Sequence, residues 1–235
     1  TGKIMPTGIY IRTKPPWNKG ISMKCPKCKR EMQLKFSCTQ LIQGTMCAFL
    51  KLTRDYSVSP DARAFMVMGT KTHANLEAAD DEYSLIEERF GGKEVDITGI
   101  ADVLECEKGK NILVDTKNCG SFKVAKALGF FIEQEPTGEI YKSGKRKGEQ
   151  RMRNILKRDI MKEDRWEWEL QLNKYAMDFE KAGFKVDELR VQCCVRDGNT
   201  YIARSRGVFR NVYYFRINRL SNDFVIEYFK TKKEA

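Results

Sequence analysis

Val95-Asp-Ile-Thr-Gly-Ile-Ala-Asp-Val-Leu-Glu105 and Asn111-Ile-Leu-Val-Asp-Thr-Lys117, joined across Lys108-Gly-Lys110, decide how this chain is read. Both runs are short and apolar and a glycine turn parts them, so they read as a β-hairpin or two adjacent strands. Strand side chains repeat every two residues, which puts Asp115 and Lys117 on one face and Asp102 on the face of Ile100 and Leu104. Two carboxylates and an ammonium can therefore meet at one spot. Carboxylates and water suit hard ions such as Mg²⁺ and Mn²⁺, and a lysine beside the metal can orient a water or offset phosphate charge. The plain alternative is an exposed strand pair, the commoner fate of Asp and Lys. Against it, Asp115 follows Ile-Leu-Val and Asp102 lies between Ile-Ala and Val-Leu, where an acid is costly unless paired or bound to metal.

Two further pieces flank this pair. Upstream, Gly69-Thr-Lys-Thr-His73 holds the chain's single histidine on an expected helix. Downstream, Gln171-Leu-Asn-Lys-Tyr175 lies on a helix expected over 163–182 and stopped by Gly183, so Gln171 and Tyr175, four apart, share a face. Their roles divide between core packing with a hydrogen bond and positioning of DNA.

In this order, the His73 segment, Gly99-Ile-Ala-Asp102, Asp115-Thr-Lys117 and Gln171 to Tyr175 resemble the motifs of the PD-(D/E)XK nuclease superfamily, in its RecB- and AddB-like branch, which includes the CRISPR-adaptation nucleases. The resemblance spans roughly residues 36–195. It implies an α/β fold with a central mixed sheet flanked by helices, and a divalent-metal-dependent deoxyribonuclease hydrolysing phosphodiester bonds. It further implies an exonuclease acting on DNA ends or single strands in recombination, repair or a mobile element, with a helicase or recombination partner. His73, Asp102 and Asp115 would bind Mg²⁺ or Mn²⁺, with the Thr116 carbonyl as a further ligand, and Lys117 would complete the catalytic set. Members of this branch often hold an iron–sulfur cluster on one upstream and three downstream cysteines. Cys47 stands where the first would be, but only Cys193 and Cys194 follow Tyr175, so that cluster is not expected.

Charge points the same way. The 43 Lys plus Arg against 32 Asp plus Glu give +11, which favours a polyanionic partner. At 235 residues and 41% hydrophobic, the chain can bury a real core. No apolar run reaches membrane-spanning length and no signal-peptide pattern opens the sequence, so a cytoplasmic, nucleic-acid-associated protein with no membrane partner is expected. Eight cysteines then read as reduced thiols or metal ligands. Cys25-Pro-Lys-Cys28 has the turn of a zinc knuckle. Cys38 and Cys47 would complete four ligands at irregular spacing, and the alternative is a reduced dithiol.

Residues 1–35 read as a basic N-terminal arm carrying that knuckle, and 36–235 as the nuclease domain, with a basic insertion at about 133–162. The first thirty residues hold eight basic side chains and no acid. A helix is expected from Ser59-Pro60 toward Phe90, broken near Gly69. A short helix is expected over 122–128, and strands over 189–195, 201–206, 212–217 and 224–229. Tyr141-Lys-Ser-Gly-Lys-Arg-Lys-Gly148 reads as a basic loop, in which Lys145, Arg146 and Lys147 either grip phosphates or are merely solvated. Arginines at 204, 206, 210, 216 and 219 extend the basic surface, and Tyr213, Tyr214 and Phe215 divide between core and base stacking. Two other readings stand beside the nuclease: a catalytically silent nuclease-fold DNA-binding subunit, and a zinc-containing adaptor.

Overall fold

This computed structural model describes residues 11–13, 22–24, 31–33, 36–54, 56–78, 84–91 and 97–234. The elements start with β1 (Ile11–Thr13), β2 (Ser22–Lys24), β3 (Glu31–Gln33), β4 (Phe36–Ser37), α1 (Cys38–Ile42), α2 (Thr45–Thr53), β5 (Tyr56–Val58) and α3 (Pro60–Ala78). There follow β6 (Ser84–Gly91), β7 (Ile97–Glu107), β8 (Lys110–Cys119), α4 (Ser121–Ala127), β9 (Phe130–Ile140), β10 (Gln150–Arg158) and a 3₁₀ turn over Ile160–Lys162. The chain continues through α5 (Trp166–Lys181), β11 (Glu188–Val195), α6 (Tyr201–Ser205), β12 (Val212–Ile217) and α7 (Asn222–Glu234).

A central mixed sheet, flanked by helices, runs in the order β12-β11-β8-β7-β4, with β6 also on β7. β7 and β8 form the expected antiparallel hairpin, whose register pairs Val103 with Val114 and Glu107 with Lys110. Lys108 and Gly109 turn it at φ 53 and 75. Positive φ at both central positions is the twist-matched choice for a two-residue hairpin. β4 joins β7 in parallel. Asp187 N–H donates to the Asn111 carbonyl and Arg196 N–H to the Cys119 carbonyl, so β11 ascends alongside β8. Ile112 to Thr116 of β8 are buried without alternation, as in a strand covered on both faces, whereas β11 alternates through Leu189, Val191, Cys193 and Val195.

The chain divides into two compact units. The first takes Thr1–Thr116, Glu167–Val191 and Arg216–Ala235, and the second Lys117–Trp166 and Gln192–Phe215. In the first, every α5 residue from Leu170 to Phe179 is buried, so this helix is enclosed on all sides rather than along one stripe. Its end is a glycine stop: Gly183 at φ 95 lets Phe184 N–H reach the Phe179 carbonyl at 3.0 Å, and the two rings meet edge to face. In the second unit, Val124, Ala127, Cys193, Val195, Ala203, Val208 and Phe215 form the core.

Two expectations give way. The helix from Pro60 ends at Ala78 without a break at Gly69, and Ser84–Gly91 is instead a strand paired with β7. Tyr201–Ser205 and Asn222–Glu234 are helices, not strands. Thr200 starts α6 by accepting the Ala203 N–H, and α7 buries Val225 and Phe229, four apart, where a strand would have buried every second residue. The basic insertion is an antiparallel ribbon, with Phe130 against Arg158 and Ile140 against Gln150, and the lysine-rich run is the expected loop, at its tip. No helix among the described residues is long and apolar enough to cross a membrane.

Candidate functional site

The paired register ends at Val103 opposite Val114, and Asp102 and Asp115 are the next residues on the two adjacent strands. Both are buried, at 3% and 2% exposure. Asp102 accepts the Thr116 backbone N–H at 2.7 Å. Gln171 reaches from α5 and donates to Asp115 Oδ1 at 3.2 Å and to the Tyr175 hydroxyl at 3.1 Å. The phenol lies under the same strands: a Cβ on Gly99 would overlap Cε1 of the Tyr175 ring, so only glycine fits there. Burial holds the Tyr175 hydroxyl well above the usual phenol range, and Cys38, Asp115 and Asp102 add to the effect against the Gln171 hydrogen bond. Tyr175 therefore stays neutral beside the carboxylates.

Gly99, Asp102, Asp115, Thr116, Gln171 and Tyr175 are thus brought together within the first unit. Gln171 and Tyr175 are themselves buried, and their polar atoms turn toward Asp115. Lys117 follows two positions after Asp115 on β8, at the start of the second unit, and is half-buried. Lys145, Arg146 and Lys147 are exposed at the ribbon tip in that unit, where Arg146 pairs with Glu149 at 2.7 Å and lies over the Tyr141 ring. His73 falls in α3, but its side chain is outside the described residues, as are Cys25 and Cys28. Cys38 is buried and Cys47 exposed, on successive helices. Tyr213 stacks on the buried Phe215 and its hydroxyl accepts the Phe209 and Arg210 N–H groups, while Tyr214 is exposed.

As a metal centre, the cluster offers two fixed carboxylates on neighbouring strands, the donor chemistry of a hard divalent cation. The Thr116 N–H and the Gln171 amide orient the two acids. Among the described residues no group of three or more His, Cys, Asp and Glu side chains stands together to hold an ion. Two carboxylates fit such an ion only with further donors, from the Thr116 carbonyl or from His73.

Sequence reasoning missed two features of this region. Lys174 and Asp178, one turn apart on α5, form an ion pair at 2.5 Å, both almost fully enclosed. At i and i+4 on a helix this rich in charge they read as a surface pair, and only the enclosure of α5 marks them as internal. Cys38, read as a zinc ligand, opens α1 beneath a capping box in which Ser37 and Gln40 satisfy each other's N–H. The Ser-x-x-Gln spacing before Leu41 announces that cap in the sequence.

In the second unit, the Cys119 thiol hydrogen-bonds that of Cys193. The bond draws Cys119 below the usual thiol range against the effect of burial, and together with burial it pushes Cys193 upward.

No family model matches the chain, and no curated protein matches it. A crystal structure of SSO0001 superposes on 88% of this chain and 79% of its own, at 11% identity and a TM-score of 0.39. A likeness of that size carries no argument about fold or chemistry.

Proposed function

We propose that this chain is a divalent-metal-dependent DNA nuclease with a PD-(D/E)XK core, acting as an exonuclease on DNA ends or single strands. One observation carries the reading. Two buried acids on adjacent strands converge with Gln171 and Tyr175 from α5 and with a glycine that admits the tyrosine ring, and these residues come from three of the four motif segments. A bound Mg²⁺ or Mn²⁺ would supply a Lewis acid for the phosphodiester and acidify water at the site. Asp102 and Asp115 provide its oxygen donors, joined by the Thr116 carbonyl and His73. Gln171 holds the Asp115 carboxylate in orientation, and Tyr175 holds Gln171. Lys117 orients the attacking water or offsets charge in the pentavalent transition state. Lys145, Arg146 and Lys147 hold phosphates of the DNA backbone, and Cys25 with Cys28 forms a zinc knuckle in a basic N-terminal appendage.

The test is direct. The protein is incubated with 5′- and 3′-labelled single- and double-stranded DNA and with closed circles, in Mg²⁺, Mn²⁺ or EDTA. The nuclease reading expects metal-dependent loss of label from ends and sparing of circles. DNA binding without cleavage under any condition would replace it with a silent DNA-binding subunit, and bound zinc with neither binding nor cleavage would replace it with an adaptor.

A further inference from the structure

The second unit contains a cavity of about 450 Å³ between α4 and the base of the β9–β10 ribbon, lined by none of the residues that carry the proposed chemistry. Its size lies within the range of sites that take small molecules or parts of larger ones. Three aromatic rings line it: Phe122 from α4, and Phe130 and Phe131 from the first turn of the ribbon. Phe122 is 60% exposed, an unusual fate for phenylalanine on a short helix whose other face is buried at Val124, Ala125 and Ala127.

The cavity is also cationic. Lys126, Lys162 and Arg206 line it against a single acid, Asp164. Each cation stands over a ring: Lys126 and Arg206 over Phe122 at 5.3 and 5.8 Å, and Lys162 over Phe131 at 3.6 Å. Two details show a built site. Arg206 is anchored, donating to the fully buried Ser121 hydroxyl at 2.9 Å, while Ser121 in turn donates to Asp197. Phe130 is seated against Gly207, where a Cβ would come within 2.8 Å of the ring.

We infer that this cavity receives an unpaired base of a single-stranded nucleic acid together with its flanking phosphates. The base displaces the Lys126 ammonium from the face of Phe122, Lys126 and Lys162 take the phosphates, and Arg206 stays anchored on Ser121 beside them. Flat rings accept any base because every base has a π-face, and the surrounding cations match the one charge each nucleotide brings. A duplex keeps its bases stacked inside and offers nothing to the rings. The inference rests on the nuclease reading for its biological sense and deepens it: the substrate strand is splayed and gripped through a base at a distinct subsite.

The experiment measures binding rather than cleavage. Fluorescence anisotropy in EDTA compares an oligothymidylate of about 12 nucleotides with an abasic strand of equal length, an oligouridylate and a blunt duplex. The full chain is expected to bind oligothymidylate at least about fivefold more tightly than the abasic strand, the least that one base on an aromatic ring contributes. Phe122→Ala and Phe122→Leu should erase that preference while leaving affinity for the abasic strand unchanged. Lys126→Ala and Lys162→Ala should weaken both strands alike. The oligouridylate separates RNA from DNA as the source of the strand. Equal binding of abasic and base-bearing strands, or a preference that survives both Phe122 variants, would overturn the inference. A base preference in a protein that never cleaves would overturn the nuclease reading alone, and cleavage without a base preference would overturn the cavity alone.

Discussion

The α5 helix and the β9–β10 ribbon are both rich in polar and charged residues, yet they handle them in opposite ways. On α5, Gln171, Lys174, Asn173, Tyr175 and Asp178 are buried, and Asn173 alone closes three bonds, to the Glu169 and Asn218 carbonyls and from the Leu220 N–H. On the ribbon the charges are exposed and face one another across the strands: Lys157 bridges Glu133 and Glu135, and Arg151 meets Glu139, each at 2.7 Å. A buried polar group without its partner costs several kcal/mol, whereas an exposed pair contributes about 0–1. One region is therefore intolerant of substitution, and the other is free to vary in sequence while keeping its charge.

The largest effect that would break this contrast lies at the acids. Asp102→Asn and Asp115→Asn should each abolish Mg²⁺- or Mn²⁺-dependent cleavage with an unchanged circular dichroism spectrum, because both charges are needed to hold a hard cation against its hydration. Lys117→Ala should lose at least about 10²-fold in rate with metal binding retained. Normal cleavage by either Asn variant would remove the site.

Next comes the enclosed ion pair. Lys174→Ala strands a buried carboxylate and should cost about 3–5 kcal/mol in urea unfolding, whereas the double variant Lys174→Met with Asp178→Leu should recover most of it. A small loss in the single variant would mean that water reaches α5.

Gly99→Ala should cost about 1–3 kcal/mol, since either the ring of Tyr175 or strand β7 must move. Leaving Asp115 in place, it should also slow cleavage by disturbing Gln171. A wild-type melting temperature would show that the strand yields at no cost.

Alkaline titration sharpens the contrast further. Because burial raises the Tyr175 pKa above its unfolded value near 10, the folded protein holds that proton more tightly than the unfolded chain. The contribution is complete below pH 10 and is lost as pH rises through the folded-state value. Tyr175→Phe should flatten the fall of the urea midpoint above pH 10, and parallel curves for the two proteins would contradict the burial argument.

The smallest change in stability is expected at the ribbon tip. Neutralising Lys145, Arg146 and Lys147 should leave unfolding within about 0.5 kcal/mol of the parent. If these residues hold phosphates, the same variant should reduce the slope of log affinity against log salt by about two to three.

The hairpin was legible in the sequence because two apolar runs and a Lys-Gly turn leave few alternatives, and α5 because Gly183 stops it. Asp102, Asp115, Gln171 and Tyr175 were legible as a set, but not the bonds among them, since a spacing of four residues says which face they share and not what lies opposite. Lys174 and Asp178 show the limit most clearly. At i and i+4 they read as an ordinary surface pair, and only the enclosure of α5 makes them an internal one. The loop at 141–148 was legible from its glycines and lysines, but the two strands of the ribbon were not, because their alternation is carried by charges and no hydrophobic period marks them. For α6 and α7, aromatic and β-branched residues favoured strands, but the Thr200 cap starts α6 and burial four residues apart makes α7 a helix.

The register of the ribbon makes its length an adjustable quantity. Because Arg158 lies opposite Phe130 and the pairing continues outward to Met152 opposite Pro136, residues can be removed from the two strands in matched numbers and the ends rejoined by a two-residue Asn-Gly turn. Each such shortening leaves the first rung intact, along with Phe130, Phe131 and the cavity floor at its base. The molecule thus carries a built-in ruler, and a ladder of trimmed variants would report how far from its root each exposed charge does its work.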